Sequence, residues 1–361
     1  MAAGASYKMI KGEGDYHLYV PLFLVGSAAA GYSFFTRQQS TGIQIPSSPK
    51  IAEPWNWGRK AGHQQEVTPF DLEGILSEVR KTPAKEQGDI VHGTNGSYLL
   101  QEQLSEGGPF GIVYRGQEIN SGLDVAVKIN DKYLDHLKGY LRAVEAVTNI
   151  AKYNHEGAKN ILPVIEAIQQ ELALVTPYSH IGTLGMRIRR RVRLSPAKTA
   201  VIASDLCDAL AATHAAGVLH RDVKPANILL RRNREKEEAL LFDYDASLCE
   251  RTEQLEQVGY APGTTVYQAP EAHDDNVELK PTLDIYSAGI SIYEMLTGDI
   301  PFNGDEIVIL THHQLTPLPK HPAIPKPFMP VLEKACAKDP EDRHQSAAEL
   351  KEDVLQVARK L

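Results

Sequence analysis

The apolar pattern of this chain changes once, near residue 180, and that change limits the fold more than any other feature. From Ser97 onward the runs YLLQEQL, IVYRG, LDVAVKI and ELALVTP are short and rich in β-branched and aromatic residues, and Asn120-Ser121-Gly122 supplies a turn between two of them. They predict strands. Beyond residue 180, Ser195 and Pro196 open a segment carrying Ile202, Leu206 and Leu210 that Gly217 closes, which predicts a helix. Pro281 to Leu296 is apolar almost all round, so it predicts a helix buried in the middle of its layer. The order implies an α+β chain: a small β-rich part over 95–178, then a larger helical part over 179–361.

Upstream, Leu18 to Thr36 carries no charge and is about long enough to cross a bilayer core of about 30 Å as a helix. That predicts a single membrane span between an N-terminal tail, 1–17, and a linker, 37–94. A signal-peptide core with small residues Ala28 and Ala30 is the rival, but Glu13 and Asp15 spoil a basic leader. Lys8 and Lys11 on one side and Arg37 on the other do not set an orientation. The linker is rich in Ser, Pro, Gly and Gln, carries Trp55 and Trp57, and ends in a predicted short helix near 69–80. There Thr68 and Asp71 have capping-box spacing, Pro69 takes the first position, and Leu72, Ile75, Leu76 and Val79 share one face that should dock on the domain. A net charge of −8 gives no reason to expect nucleic acid as a partner. Cys207, Cys249 and Cys336 are odd in number and far apart, so they signal neither a disulfide framework nor a zinc site.

Seven short motifs follow in one order: EGGPFGIVY (106–114), VAVK (125–128), LALVTPYSHIGTL (172–184), HRDVKPANILL (220–230), LLFDYDASL (240–248), GTTVYQAPE (263–271) and LDIYSAG (283–289), with Arg343 in KDPEDRHQS beyond them. From about residue 95 to its end the sequence resembles the eukaryotic-type protein kinase superfamily. The resemblance implies a bilobal fold, ATP and Mg²⁺ as cofactors, and protein substrates. Gly107, Gly108 and Gly111, followed by Val113, would lie over the ATP phosphates, where missing side chains let the backbone approach; the first glycine of the family pattern falls on Ser105 or Glu106. Lys128 would hold the α and β phosphates with Glu145 as its ion-pair partner, Glu156 and Glu166 being the later acidic residues. Thr176 stands at the gatekeeper position, and Ser179 would present backbone to adenine. Asp222 would orient and deprotonate the substrate hydroxyl, Lys224 would stabilise the transferred charge, and Asn227 and Asp243 would hold Mg²⁺. Lys224, two residues after Asp222, matches the Ser/Thr-specific form of the motif.

Three further features follow from the same resemblance. Tyr244 replaces the packing phenylalanine and Asp245 the usual glycine, which predicts fewer flipped conformations or an altered metal geometry. Thr264, Glu271 with Arg343, and Asp284 are expected to support the site. Arg221 directly before Asp222 predicts activation by phosphorylation of the following segment, with Ser247, Thr252, Thr264 and Thr265 as acceptors and Thr252 preferred. The leading reading is a Ser/Thr kinase tethered to a membrane on the side that holds ATP, cytosol or organelle interior. A pseudokinase acting as an interaction subunit of a membrane assembly is the alternative, suggested by Asp245 and the irregular glycine loop; a small-molecule kinase would not carry GTTVYQAPE. The run Arg187, Arg189, Arg190, Arg191 and Arg193 reads as a solvated helix face or as a dock for an acidic partner.

Overall fold

The computed structural model describes residues 7–11, 17–21 and 70–360, apart from 106–110, 131–132, 193, 235, 257–261 and 275. Two short strands, β1 (Tyr7–Lys11) and β2 (His17–Pro21), pair antiparallel with Met9 opposite Tyr19. Leu18 to Pro21 are therefore extended rather than the start of the expected span. An extended ladder suits Tyr19 and Val20, and Pro21, which has no N–H to give to a helix, stands at its end. The rest of that span, Leu22 to Thr36, lies outside the described residues, as do Trp55, Trp57, Thr68 and Pro69. Among the described residues no helix is long and apolar enough to cross a membrane.

The short helix of the linker forms as α1 (Leu72–Val79), and it starts later than expected because Asp71 is its N-cap, its carboxylate accepting the Gly74 N–H at 2.9 Å. Leu76 and Val79 are buried in one cluster with Leu137, Tyr140 and Val144, so the apolar face docks as its periodicity implies.

Six strands, β3 (Ile90–His92), β4 (Ser97–Gln103), β5 (Ile112–Glu118), β6 (Asp124–Ile129), β7 (Glu166–Ile168) and β8 (Ala173–Pro177), make one antiparallel sheet in the order β3-β4-β5-β6-β8-β7. Gly122, at φ 71°, closes the β5–β6 hairpin. Alternate residues Tyr98, Leu100, Tyr114, Val125, Val127 and Val175 fill the core of this sheet. Helix α2 (Leu134–Tyr153) runs between β6 and β7 in sequence and buries Leu137, Tyr140, Leu141 and Val144 in the larger core.

That larger core belongs to the helical part: α3 (Leu184–Arg189), α4 (Pro196–Ala215), the hairpin β9 (Ile228–Asn233) and β10 (Lys236–Leu241), then α5 (Thr282–Thr297), α6 (Glu306–Leu315), α7 (Met329–Ala335) and α8 (Ala347–Ala358). Ser195 caps α4 by accepting the Lys198 N–H at 3.2 Å, and Gly217 follows the helix at φ 71°. All but one of the sixteen residues of α5 are buried, as an all-round apolar segment requires. Asp284, at its start, is fully buried and sets the site described next.

Candidate active site

The loop between α4 and β9 carries Asp222, Lys224 and Asn227, and a buried carboxylate from a distant helix fixes its backbone. Asp284 accepts the N–H groups of His220 (2.9 Å) and Arg221 (2.8 Å) and bonds to His214 Nε2 at 2.8 Å. Burial alone would raise the Asp284 pKa, but the His214 bond and charge outweigh it and hold the carboxyl below its ordinary range. Arg221 adopts φ 63°, a left-handed conformation that costs a non-glycine residue about 1–2 kcal/mol and is held here by that anchor. His220 is buried, bonds to the Phe242 carbonyl at 3.1 Å, and is pushed toward its neutral form by burial.

Asp222 is almost wholly buried and is the meeting point of three side chains. Thr264 donates to its Oδ1 at 2.8 Å, Lys224 Nζ to its Oδ2 at 2.6 Å, and Asn227 Nδ2 to its Oδ2 at 2.8 Å and its carbonyl at 2.9 Å. Lys224 also bonds to Thr264 Oγ1. The carboxylate is thus locked in one orientation by three donors from two chain segments. Thr264 comes from GTTVYQAPE, whose end is pinned by a bidentate pair between Glu271 and Arg343, at 2.6 and 2.8 Å, with Arg343 inaccessible to solvent.

Asp243 follows β10 at φ 69°, so the left-handed residue of this turn is Asp243 and not Asp245. The glycine that Asp245 replaces is therefore not needed for backbone freedom. Tyr244 is buried where the phenylalanine was expected, its hydroxyl 2.9 Å from Thr213 Oγ1. Lys128 reaches across from β6 to Asp243 Oδ1 at 2.7 Å and Asp245 Oδ2 at 2.8 Å. Burial opposes the charge of all three, yet the mutual attraction raises the pKa of Lys128 and lowers that of Asp243, while burial, together with Asp243 as a like-charged neighbour, pushes Asp245 above its ordinary range.

Glu145 does not pair with Lys128, contrary to the expectation from its place in α2. It is buried and takes Arg251 at 3.2 Å. Glu166 is likewise occupied, accepting the Tyr98 hydroxyl at 2.8 Å. Arg221 and Arg142 converge on Glu256, which receives Arg221 at 2.7 and 3.0 Å and Arg142 at 3.0 Å. That position was to receive a phosphate, and the preferred acceptor, Thr252, is fully buried with its hydroxyl bonded to Cys249; Ser247 is fully buried as well. A carboxylate already neutralises Arg221, so Thr252 does not fit the acceptor role. Arg142, Arg251 and Glu256 carried no signal in the sequence, because nothing local marks an ion pair closed by the fold.

Of the remaining residues, those described lie on the sheet or just beyond it. Gly111 stands at φ 82°, and a Cβ there would lie 2.4 Å from the Ile129 carbonyl, so only glycine fits. Val113 is opposite Lys128 in the β5–β6 ladder and donates its N–H to Ser105 Oγ at 2.9 Å. Gly107 and Gly108 lie outside the described residues. Thr176, on β8, pairs with Ala126 of β6, and Ser179 donates its hydroxyl to the Leu230 carbonyl. The donor set suits a hard divalent cation: the Asn227 amide nitrogen is committed to Asp222, which leaves its oxygen free, and Asp243 has a second oxygen not used by Lys128. The Leu241–Ile228 pairing and the Phe242 N–H to Asn227 carbonyl bond, at 3.0 Å, bring these two donors to one end of the β9–β10 hairpin.

A lysine from a sheet, two acidic residues after a β-hairpin, and a buried aspartate–lysine–asparagine loop anchored by a central helix define a phosphotransferase site of the protein kinase type. The chain belongs to the protein kinase family, whose domain matches residues 98–355. It is similar to the serine/threonine-protein kinase PkaA of Streptomyces coelicolor, 31% identical over 68% of this chain and 47% of that protein. It is also similar to the serine/threonine-protein kinase Pkn1 of Myxococcus xanthus, 34% identical over 79% of this chain and 42% of that one. The serine/threonine-protein kinase PknH of Mycobacterium tuberculosis is 32% identical over 71% of this chain and 41% of its own length. The chain thus spans less than half the length of these curated relatives.

Proposed function

We propose that the chain transfers the terminal phosphoryl group of ATP to serine or threonine hydroxyls of protein substrates. The observation that carries this reading is the Asp222 carboxylate, held by Thr264, Lys224 and Asn227 so that it faces one direction. In that position Asp222 orients an incoming hydroxyl and accepts its proton, while the Lys224 ammonium, 2.6 Å away, offsets negative charge that develops on the transferred group. Lys128 holds the non-transferred phosphates. Asn227 and Asp243 are the residues to hold Mg²⁺, which when bound neutralises phosphate charge. Lys224 and the names of the relatives support serine and threonine over tyrosine. The pseudokinase alternative is disfavoured because Lys128, Asp222, Asn227 and Asp243 are all present, and each has partners that suit its role.

The test is phosphorylation with labelled ATP, offering generic proteins and small-molecule acceptors side by side, followed by identification of the phosphorylated amino acid. Label on serine or threonine is expected. Label on small molecules alone, or on no acceptor and not on the chain itself, would overturn the reading.

A further inference from the structure

Lys128 is held by a carboxylate from an unexpected place, and the residue that would normally hold it is committed elsewhere. We propose that Asp245, rather than Glu145, is the positioning residue that aims Lys128 at the nucleotide phosphates, and that Glu145 instead ties α2 to the segment after Asp245 through Arg251. The inference rests on the phosphotransfer reading only in taking ATP as the ligand.

Four observations carry it. First, Lys128 Nζ lies 2.8 Å from Asp245 Oδ2 and 2.7 Å from Asp243 Oδ1. An ammonium has three N–H donors, so these two bonds fix its direction and leave a third for a phosphate oxygen. Second, α2 is shaped to admit Asp245. Its residue 139 is glycine, and a Cβ there would stand 3.3 Å from Asp245 Oδ2, tighter than most such contacts, and 3.4 Å from Asp245 Cβ, at the edge of ordinary contact, so the carboxylate would have to give by a few tenths of an ångström. Glycine is a poor helix former, so its presence inside α2 against Asp245 is explained by the room it leaves there. Third, Asp245 is outside the left-handed region, whereas Asp243 is inside it at φ 69°. The turn therefore leaves position 245 free to carry a side chain. Fourth, Glu145 is buried and paired with Arg251 at 3.2 Å, and the Arg251 guanidinium lies over the Phe70 ring at 4.7 Å. Moving Glu145 to Lys128 would strip Arg251 of that partner and add a third carboxylate to an ammonium that already has two.

The experiment uses the full chain and measures Mg-ATP binding by calorimetry, together with KM for ATP and kcat, in the wild type, Asp245→Asn, Asp245→Gly, Asp245→Glu and Glu145→Gln. Thermal melting controls for folding. Asp245→Asn and Asp245→Gly are expected to weaken Mg-ATP binding and raise KM by about tenfold, because a charge-assisted bond that orients Lys128 is lost. Glu145→Gln should shift both by clearly less, and Asp245→Glu, which keeps the charge, should recover part of the loss. The assignment is overturned if Glu145→Gln weakens binding more than Asp245→Asn, or if Asp245→Gly binds Mg-ATP as tightly as the wild type or more tightly. A wild type that binds Mg-ATP without transferring phosphate would defeat the phosphotransfer reading, while the binding comparison would still decide between Asp245 and Glu145. A wild type that binds no Mg-ATP would defeat both.

Discussion

At the scale of single residues, the site depends on buried charges whose partners arrive from far along the chain. Arg343 is the clearest case: it is inaccessible to solvent, forks onto both oxygens of Glu271, and donates as well to the carbonyls of Ala337, Lys338 and Thr282. As a stabilising pair it contributes little net, because both ions lose their hydration, but removing one partner leaves the other charge buried alone. Arg343→Ala should therefore lower the unfolding free energy by about 3–5 kcal/mol. Urea denaturation of the two proteins measures this, and a loss under about 1 kcal/mol would show that Glu271 finds another partner. Asp284 fixes the loop backbone in the same way, accepting the His220 and Arg221 N–H groups, and Asp222 is held by Thr264, Lys224 and Asn227. These residues were legible in the sequence because each sits inside a short motif with fixed spacing. The Lys128–Asp245 and Arg251–Glu145 pairs join positions 117 and 106 apart, and only the fold decides which of several acids a given base meets. Asp245 left a trace, as an acid in the place of a glycine; Arg251 and Glu256 left none.

At the scale of elements, period and capping account for what could be read and what could not. Strands β4, β5, β6 and β8 coincide with the runs rich in β-branched and aromatic residues, and α4 and α5 with the capped and the all-apolar segments. Helix α1 begins at Leu72 because Asp71 competes successfully for the cap, a contest that spacing alone does not settle. The three-residue strands β3 and β7 are too short to show a period. The arginine run after Leu184 divides: Arg187 leaves the solvated face and forks onto Glu237 of β10 at 2.7 and 2.6 Å, where Lys198 of α4 joins it at 2.9 Å. The Arg187 hydrogen bonds hold the Glu237 carboxyl down at about 2. A carboxyl lowered in the folded state stabilises above its unfolded value, about 4.3, and that contribution is lost as pH falls toward the folded value. Glu237→Gln should therefore melt below the wild type by a gap that is nearly constant from pH 7 to 5, narrows as pH falls below about 4, and closes only near the folded value of about 2. The gap should be modest, under about 1 kcal/mol, because the pair is partly solvated. Thermal melts across that range measure it; a gap unchanged at pH 3 would mean that Glu237 acts through packing and not through charge.

At the scale of the whole molecule there are two cores, one inside the sheet and one built on α4, α5 and the helices around them. Lys128 comes from the sheet, and Asp222, Asn227 and Asp243 from the helical part, so in the proposed reaction nucleotide and hydroxyl are held by groups from the two parts. In phosphoryl transfer the protein mainly positions reactants and neutralises charge, which on the proposed function gives the sheet and the helical part separable tasks. The account stands on Asp222 acting in the chemical step and not in nucleotide binding. The direct measurement is calorimetric Mg-ATP affinity beside the rate of phosphate transfer to a peptide, for the wild type and Asp222→Asn. The account predicts nearly unchanged affinity and transfer slower by about 10²-fold or more. Equal transfer rates in the two proteins, or a loss of transfer matched by an equal loss of affinity, would contradict it.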